Sequence, residues 1–553
     1  MKKIYSLILL GCIVLNGFAQ SFKSESSELY DENIGIPVLL MKDGSTVFQG
    51  MNNKSNKMAL TVYDKDHKVL FMRKEITFKN VKESYSVDPK TWHEKDSKIV
   101  FYGSSKKKDY RIVIDPKTLL VIEDIQLDCY PENKEDYIMS MQFSESANSV
   151  CTEEKGDGSY KAKLTCSSTF DMKNVDPISG NSIQTLSTRK LLSKEQALAR
   201  TNFDDIQTYG FKIFDSNCQE TQNVQFDYVN KKFNDVSILA TYIYDNMIYF
   251  ICSYNLIIDR ASYDSNKGFF YITKYNISTK KFTHQEVFEI KNDKGLEKVL
   301  IYPSVDKSSF TLNIKEQIGE EFKNNIHYYY YDIYYVNFDA QSLKVANAYR
   351  IATEKSDNLM KTSCVDCKGI DGGMTDKAIL DKKNNVVMTK VHNLSFSYPF
   401  KSNLSSYGNP EVIGMSVVNN EGKEMNAWAM NYNVYGASGS RNPAVGNFAY
   451  TIASGSKNYY ILMNDLAKNI DVPANKKPAF TKEVDQCEAF IVELLPNGEI
   501  QKNYLLPKSL DKKANKYGDF GSVLYDKATN TIVLRVYEGE AFRKTRAVWV
   551  KLD

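Results

Sequence analysis

The sequence predicts an all-β fold made of short antiparallel sheets that repeat along the chain. The main observation is a hairpin pattern, in which two apolar strands flank a polar turn. The clearest example runs from Asp519 to Glu538, where VLY leads into the turn DKATN and IVL leads out of it. The same pattern recurs at residues 60–71, 111–122, 336–345 and 378–388. Units of four such strands, each about 40 to 75 residues long, predict a β-propeller.

Aromatic composition supports the same fold class. The 553 residues include 37 Tyr and 28 Phe but only 3 Trp, and tyrosine suits the half-buried surface of a pleated sheet. Hydrophobic residues make up 42% of the chain and charged residues 25%, which leaves ample material for a core.

Eight four-stranded blades are predicted, with seven as the alternative count. The units cover residues 37–72, 83–127, 137–151, 237–283, 299–351, 378–430, 448–506 and 520–552. Residues 172–235 are longer than a blade connection needs, and Ser193 with Gln196 resembles a capping box ahead of a short helix. We therefore predict an irregular, partly helical insertion there. Two β-sandwiches in tandem are the structural alternative, which the lack of a Pro/Ser/Gly-rich linker disfavours.

Ring closure is predicted to involve the N-terminal region. The last unit, which ends near Leu552, shows only three obvious strands. A strand within about 22–34 would supply the fourth and close the ring. Residues 20–553 are accordingly expected to form a single propeller domain.

The first 19 residues have the features of a signal peptide. Lys2 and Lys3 precede the mostly apolar stretch 4–18, and a small residue at positions 17 and 19 suits cleavage after Ala19. This predicts export to the periplasm or the cell surface. An alternative is a lipid anchor on Cys12, because the preceding Leu-Leu-Gly resembles a lipobox. No later stretch reaches the ~20 apolar residues of a transmembrane helix, so none is expected in the mature chain.

Net charge argues against a nucleic-acid partner. The formal charge is +3, and removing Lys2 and Lys3 leaves +1 (3 − 2). A nearly neutral chain provides little attraction for a polyanion.

Eight cysteines follow Cys12, and an oxidising compartment permits disulfides without fixing their connectivity. Cys252 lies in the apolar run MIYFICS and is predicted to be a buried free thiol. Cys364 and Cys367, in a CxxC motif, are predicted to form a loop disulfide. Free thiols, a redox pair or half of a zinc site are the alternatives. A zinc site would need a second CxxC or a nearby His pair, and the sequence shows neither. No metal or cofactor is predicted.

Long connections concentrate on one predicted face. If the four strands of a blade are A to D, the A–B and C–D turns are short, whereas the B–C and D–A connections are long, especially after residue 250. Both long types emerge on the same face of a propeller, and long loops are frequent sites of function. The predicted ligand-binding residues combine aromatic and charged side chains that suit a sugar or a peptide: Arg260, Tyr263, His392, Tyr398, Tyr407, Tyr435 and Arg441. The alternative is that these loops only cover blade edges.

The hairpin spacing resembles that of β-propellers in exported bacterial proteins, over nearly the whole chain after the signal peptide. No Gly-x-Ser-x-Gly, His-Glu-x-x-His or P-loop motif is present. We therefore expect a monomeric, non-catalytic binding or scaffold protein whose partner is a glycan, a peptide or an envelope protein. A propeller hydrolase or lyase that acts on polysaccharide or peptide is the alternative.

Overall fold

The computed structural model describes most of the chain beyond residue 20. The described residues are 21–52, 55, 57–80, 85–87, 91–105, 108–127, 152–154, 160–162, 181–188, 208–215, 219–226, 233–256, 267–284, 288–291, 296–304, 307–323, 326–351, 353–363, 374–393, 396–397, 406–408, 410–432, 436–437, 450–479, 486–508, 515–539 and 544–553.

Seven antiparallel sheets of four or five strands form a propeller ring within these residues, and we number them blades 1 to 7 in chain order. Strand β1 (Phe22–Ser26) comes first in the chain and belongs to blade 7. Blades 1 and 2 contain β2 (Ile36–Leu40), β3 (Thr46–Met51), β4 (Met58–Tyr63) and β5 (Val69–Glu75), then β6 (Ser86–Val87), β7 (His93–Lys95), β8 (Lys98–Ser105), β9 (Lys108–Ile114) and β10 (Val121–Leu127). Two strands, β11 (Thr152–Glu154) and β12 (Tyr160–Ala162), pair by themselves. A three-stranded sheet follows, with β13 (Ser182–Thr188), β14 (Thr208–Phe214) and β15 (Glu220–Gln225).

Blades 3 to 7 occupy the rest of the chain. Blade 3 contains β16 (Phe233–Tyr244), β17 (Met247–Leu256), β18 (Lys267–Asn276), β19 (Lys281–His284) and β20 (Phe288–Lys291). Blade 4 contains β21 (Leu296–Pro303), β22 (Ser309–Lys323), β23 (Ile326–Asp339) and β24 (Val345–Arg350), and helix α1 (Glu354–Ser363) follows it. Blade 5 contains β25 (Met374–Leu380), β26 (Val386–Asn393), β29 (Pro410–Val418) and β30 (Glu424–Asn431), and a small sheet beside it contains β27 (Phe396–Ser397), β28 (Ser406–Gly408) and β31 (Gly436–Ala437). Blade 6 contains β32 (Thr451–Ser454), β33 (Tyr459–Leu466), β34 (Cys487–Leu494) and β35 (Ile500–Tyr504), with a 3-10 helix at Ala467–Asn469. Blade 7 contains β36 (Lys516–Gly518), β37 (Leu524–Asp526), β38 (Thr531–Glu538), β39 (Lys544–Leu552) and β1.

The propeller prediction is confirmed, with the alternative count of seven blades. Each of seven predicted units corresponds to one of these sheets. The remaining unit of the eight-blade prediction, at 137–151, lies outside the described residues. The described part of 172–235 contains β13 to β15 and the start of β16, and the helix predicted near Ser193 lies outside the described residues. Phe211 and Ile213 of β14 pack against Ile248 and Phe250 of blade 3.

Separate hydrophobic cores join six pairs of neighbouring blades in the described part of the chain. One core lies between blades 1 and 2, and others join blades 3 and 4, 4 and 5, 5 and 6, 6 and 7, and 7 and 1. Alternate residues of one strand face opposite neighbours: Ile461 and Met463 of β33 pack towards blade 5, whereas Tyr460 and Leu462 pack towards blade 7. Strands buried on both sides therefore read as continuous apolar runs.

Strand β1 closes the ring, as predicted. It pairs antiparallel with β39, from Phe22 opposite Leu552 to Ser26 opposite Val548. The pairing continues at Tyr30, whose backbone N–H and carbonyl both bond to Thr545. The side chain of Phe22 lies in the core between blades 6 and 7. The paired strands β1 and β39 of blade 7 are thus more than 500 residues apart in the chain.

Three of the short turns share one geometry. An Asp or Asn side-chain oxygen accepts the backbone N–H groups two and four residues later, as at Asp64 (2.9 and 2.8 Å), Asp381 (2.8 and 2.8 Å) and Asn419 (3.1 and 2.9 Å). The third residue after the Asp or Asn has a positive φ, 61° at His67 and 83° at Gly422. We call the side of the ring that carries the A–B and C–D turns the hairpin face, and the side that carries the B–C and D–A connections the loop face.

Two cysteines are described and both are buried, and Cys252 is a free thiol. Cys252 lies in the core of blade 3, as predicted, and burial raises the pKa of its thiol. Cys487, at the start of β34, is the other. Cys364 and Cys367 lie outside the described residues. No helix in the described part of the chain is both long and apolar enough to cross a membrane.

Candidate functional site

The predicted ligand-binding residues lie in or next to the least described connections. Arg260, Tyr263, Tyr398, Tyr435 and Arg441 lie outside the described residues. The backbones of His392 and Tyr407 are described, in β26 and β28, but their side chains are not. All seven residues therefore stay predictions.

The small sheet places Tyr407 between two connections of blade 5. Its strand β28 is central: Tyr407 pairs with Phe396 on one side and with Ala437 on the other. Phe396 and Tyr407 belong to the B–C connection, and Ala437 belongs to the D–A connection. Main-chain hydrogen bonds thus join two loop-face segments that the sequence presents as separate loops.

Helix α1 lies on the loop-face connection between blades 4 and 5, and Glu424 of β30 caps it. The Glu424 carboxylate accepts the backbone N–H of Lys355 (2.7 Å) and of Ser356 (3.1 Å), which are first-turn donors without partners inside the helix. It also accepts the hydroxyl of Ser416 at 2.7 Å. A carboxylate here interacts favourably with the positive end of the helix dipole, as do Glu354 and Asp357 of the first turn.

Two further contacts fix α1 against blade 5. Lys390 of β26 forms an ion pair with Asp357 at 3.0 Å, in a setting where the lysine side chain is only 12% exposed. Met360 packs against Val412 and Ala429, and the space above Gly414 is filled by its thioether. A Cβ at position 414 would lie 2.4 Å from the Met360 sulfur.

Asn431 connects the end of this helix to the loop of blade 6. Its Nδ2 donates to the carbonyl of Ser363 (2.7 Å) and to that of Ala474 (2.9 Å). The backbone N–H of Asn431 also donates to Ala474 at 2.9 Å. One buried side chain therefore holds two loop-face segments that are 111 residues apart (474 − 363).

Residues 467–479, the described part of the B–C connection of blade 6, fold around Asn469. Asn469 Nδ2 donates to Asp465 (2.6 Å) and to the carbonyl of Ala479 (2.9 Å), and its Oδ1 accepts the Ala479 N–H at 2.8 Å. Asn469 and Asp465 are 1% and 2% exposed. Burial raises the pKa of Asp465 and lowers the pKa of Lys502, whose ammonium donates to the carbonyls of Asn469 and Val472.

Buried polar contacts continue into blade 7. Asn464 donates to and accepts from the backbone of Gly518, at 2.8 and 2.7 Å. Arg535 forms a buried ion pair with Asp519 and donates to Asn33 at 2.6 Å. Asn33 belongs to the connection between blades 7 and 1, so the arginine ties another loop-face segment to the core.

These contacts produce a loop face whose described segments are fixed by charged and amide groups below the surface. None of these contacts was predicted from the sequence. The available signal was the presence of polar residues inside apolar strands, such as Asn464 and Asp465 in YYILMNDL. Within the described residues, no three His, Cys, Asp or Glu side chains lie close enough together to hold a metal ion.

No family model and no curated protein sequence matches the chain. Solved structures with a similar fold include dipeptidyl peptidase 4 of Porphyromonas gingivalis, with 10% identity, 92% of this chain and 58% of that chain covered, and a TM-score of 0.34. The polysaccharide lyase Uly1 is another, with 11% identity, 96% of this chain and 100% of that chain covered, and a TM-score of 0.32. The Dos1 propeller is a third, with 8% identity, 95% of this chain and 94% of that chain covered, and a TM-score of 0.28. The chain spans 58% of the length of the peptidase. At these identities the likeness concerns the fold alone.

Proposed function

We propose that this protein is an exported binding or scaffold protein that holds a glycan, a peptide or a protein partner on its loop face. The observation that carries the proposal is the anchoring of the described loop-face segments by Asn431, Asn469 and Arg535. Each anchor is a polar side chain that is at most 8% exposed.

The energetics of such anchors favour a surface whose shape matters. A buried polar group costs about 1–3 kcal/mol when it lacks a partner, so each anchor holds its loop in the one arrangement that satisfies it. A loop that only covered a blade edge would need no such restriction. Preorganised loops lose less conformational entropy when a ligand binds, which raises affinity.

The predicted contact residues belong to the same sector. Tyr407 lies in the B–C connection of blade 5, His392 lies on the strand that leads into it, and Asn431 is at the loop-face end of the last strand of that blade. Aromatic and imidazole groups on a fixed surface suit the apolar faces and hydroxyls of a sugar, or the side chains of a peptide.

A thermal-shift screen tests the proposal. The purified protein is heated with oligosaccharides, peptides and divalent metals, each with and without EDTA. A ligand that binds only the folded state raises the Tm, by an amount that corresponds to about 2.7 kcal/mol at a hundred times Kd. We expect a shift from one ligand class, and we expect Tyr407→Ala to reduce it. Lys423→Ala, in a hairpin-face turn of the same blade, is the matched control. A shift that Tyr407→Ala and His392→Ala leave unchanged would contradict the proposed face.

A propeller hydrolase or lyase is the second candidate. Asp465 and Glu488 are directly opposite each other in the register of β33 and β34, and burial raises the pKa of both carboxyl groups. A raised carboxyl pKa is the direction of shift that suits a general acid. Product formation from the ligand found in the screen, and its loss in Asp465→Asn and Glu488→Gln, would support catalysis over binding.

A further inference from the structure

The two central strands of blade 4 are longer than the strands that flank them. β22 and β23 have 15 and 14 residues, whereas β21 and β24 have 8 and 6. The pairing of β22 with β23 continues, through one bulge, to Lys323 opposite Ile326. Because β22 runs from the A–B turn towards the loop face, the extra length forms a two-stranded extension on that face. We call its residues, 317–323 and 326–333, the ribbon.

One edge of the ribbon, residues 326–333 of β23, is not covered by the strand that covers the other end of β23. β24 pairs with β23 as far as Tyr334, which lies opposite Arg350. The chain then leaves the sheet, since Ile351 packs in the core between blades 4 and 5 and α1 begins at Glu354. Among the described strands, only β22 pairs with residues 326–333. Alternate residues along this edge, which is about 26 Å long, therefore direct their N–H and C=O groups away from the ribbon.

The sequence of this edge favours pairing with a further strand. It reads IHYYYYDI, with four consecutive tyrosines, one carboxylate, and no proline or lysine. Aromatic and β-branched residues prefer strands, whereas proteins commonly protect an exposed edge with lysine, proline or a short strand. The other edge of the ribbon, residues 317–323, does carry such protection, in the form of Glu320, Glu321 and Lys323. The edge at 326–333 is thus the one suited to strand addition.

Charge determines which kind of strand the ribbon accepts. Residues 317–333 contain one lysine and three carboxylates, so their formal charge is −2 (1 − 3): Lys323, Glu320, Glu321 and Asp332. A second copy of the chain would bring two ribbons of the same sign side by side, which is unfavourable. A basic peptide is attracted instead.

The register also groups carboxylates and tyrosines on one face of the ribbon. Tyr328, Tyr330 and Asp332 occupy alternate positions of β23, and Glu321 lies directly opposite Tyr328. Basic side chains are attracted both by carboxylates and by the faces of aromatic rings. A strand with basic residues at alternate positions matches this spacing.

The geometry points to residues 326–333 as a docking edge that accepts an extended basic peptide of a partner protein as an added strand. The peptide continues the position of β24 in the sheet beyond Arg350. Its main-chain hydrogen bonds to β23 provide affinity, and its alternate basic side chains lie on the face of Tyr328, Tyr330 and Asp332 and provide specificity. This inference goes beyond the proposed function, because the edge belongs to blade 4, whereas Tyr407 belongs to the small sheet beside blade 5.

Calorimetric titration of the full chain with an octapeptide of alternating Lys and Val tests the edge. The comparison probes are an octapeptide of alternating Glu and Val, and the Lys-Val peptide methylated at every backbone nitrogen. We expect the Lys-Val peptide to bind and both comparison probes to bind at least about tenfold more weakly, through repulsion in one case and lost main-chain donors in the other.

Charge-reversal variants locate the binding. Asp332→Lys and Glu321→Lys should each weaken binding of the Lys-Val peptide about tenfold. Position 332 lies opposite Glu316 in the register, so a lysine there gains a favourable neighbour, and circular dichroism is expected to show a folded variant. Glu421→Lys, in an exposed hairpin-face turn of blade 5, makes the same change of charge and should bind as the unmodified chain does.

Hydrogen exchange gives a readout that does not depend on any variant. The Lys-Val peptide should slow exchange within 326–333 and leave 317–323 unchanged. Absence of binding, equal binding of the methylated peptide, or protection outside 326–333 would each overturn the inference. A dimer that protects 326–333 without peptide would assign the edge to a second copy and overturn it too. Each of these results leaves the loop-face proposal around Tyr407 intact.

Discussion

Trp549 of β39 provides the sharpest test of how the ring closes. Its ring is 3% exposed, meets the Tyr63 ring edge-on at 5.1 Å and stacks on His67 at 3.9 Å, so it joins blade 7 to blade 1. Its indole N–H donates to the hydroxyl of Thr46 at 3.0 Å, and Thr46 is fully buried. Glu25 of β1 is its partner in the β1–β39 register.

Replacing this side chain by alanine removes the packing and the hydrogen bond together. Burying a tryptophan contributes about 3–5 kcal/mol relative to alanine. With an unfolding entropy of roughly 2.1 cal/mol/K per residue over about 530 residues, 4 kcal/mol corresponds to a Tm lower by about 3–4 °C. Trp428→Ala is the matched control, because Trp428 is 2% exposed and its indole donates to Leu495 at 3.0 Å, away from the closure.

Hydrogen exchange distinguishes closure from general stability. Trp549→Ala should accelerate exchange of the amides of β1, which bond to β39, whereas Trp428→Ala should leave β1 protected. The hydrogen bond can be isolated with Trp549→Phe and Thr46→Val. Each single change leaves a buried group unpaired, so the double variant should lose about 1 kcal/mol less than the sum of the two. Equal exchange of β1 in both alanine variants would refute the role assigned to Trp549.

Three further predictions follow from individual contacts. Gly35 and Gly498 have similar positive φ values, 95° and 92°, but a Cβ at Gly35 would lie 2.2 Å from the carbonyl oxygen of Gln49, whereas a Cβ at Gly498 would have no atom within 4 Å. In denaturant titration, Gly35→Ala should therefore lower the free energy of unfolding by at least about 2 kcal/mol more than Gly498→Ala does. Glu424→Ala should lower the free energy of unfolding by about 2–3 kcal/mol and speed hydrogen exchange of the α1 amides, whereas Glu424→Gln, which keeps an acceptor oxygen, should lower it by about 1 kcal/mol. Equal exchange of the α1 amides in both variants would contradict the capping role. Burial raises the pKa of Asp465 in the folded state, so the stability contributed by its protonated form is full below the ordinary pKa of about 3.9 and is lost as the pH rises through the raised pKa. The Tm of Asp465→Asn minus that of the unmodified chain should therefore be higher at pH 7 than at pH 4, and a pH-independent difference would contradict this.

The propeller could be predicted from the sequence because its determinants are local. A hairpin is set by alternation along two strands and by an Asp or Asn that accepts amides two and four residues later, as at Asp64. Closure by β1 was predictable because an incomplete last unit requires a strand from elsewhere. The blade count was less certain, since it depended on residues 128–235, where regular hairpins are hard to recognise.

The loop-face anchors could not be predicted in the same way. Arg535 contacts Asn33 from 502 positions away, and Asn431 contacts Ser363 from 68 positions away. Nothing in the local pattern around any of these residues indicates the partner. Polar residues within apolar strands marked the positions where such partners would be needed, but only the arrangement of the blades identifies them.

The anchors of the loop face determine its shape and not its charge, and salt should test this. Asn431 and Asn469 are buried and bonded within the protein, so they present no charge to solvent. Exposed charges are screened beyond about 10 Å at 0.1 M salt and beyond about 3 Å at 1 M. A ligand held by the shape of the loop face should therefore bind nearly as tightly at 1 M salt as at 0.1 M. A marked loss of affinity at 1 M salt would show that exposed charges hold the ligand instead.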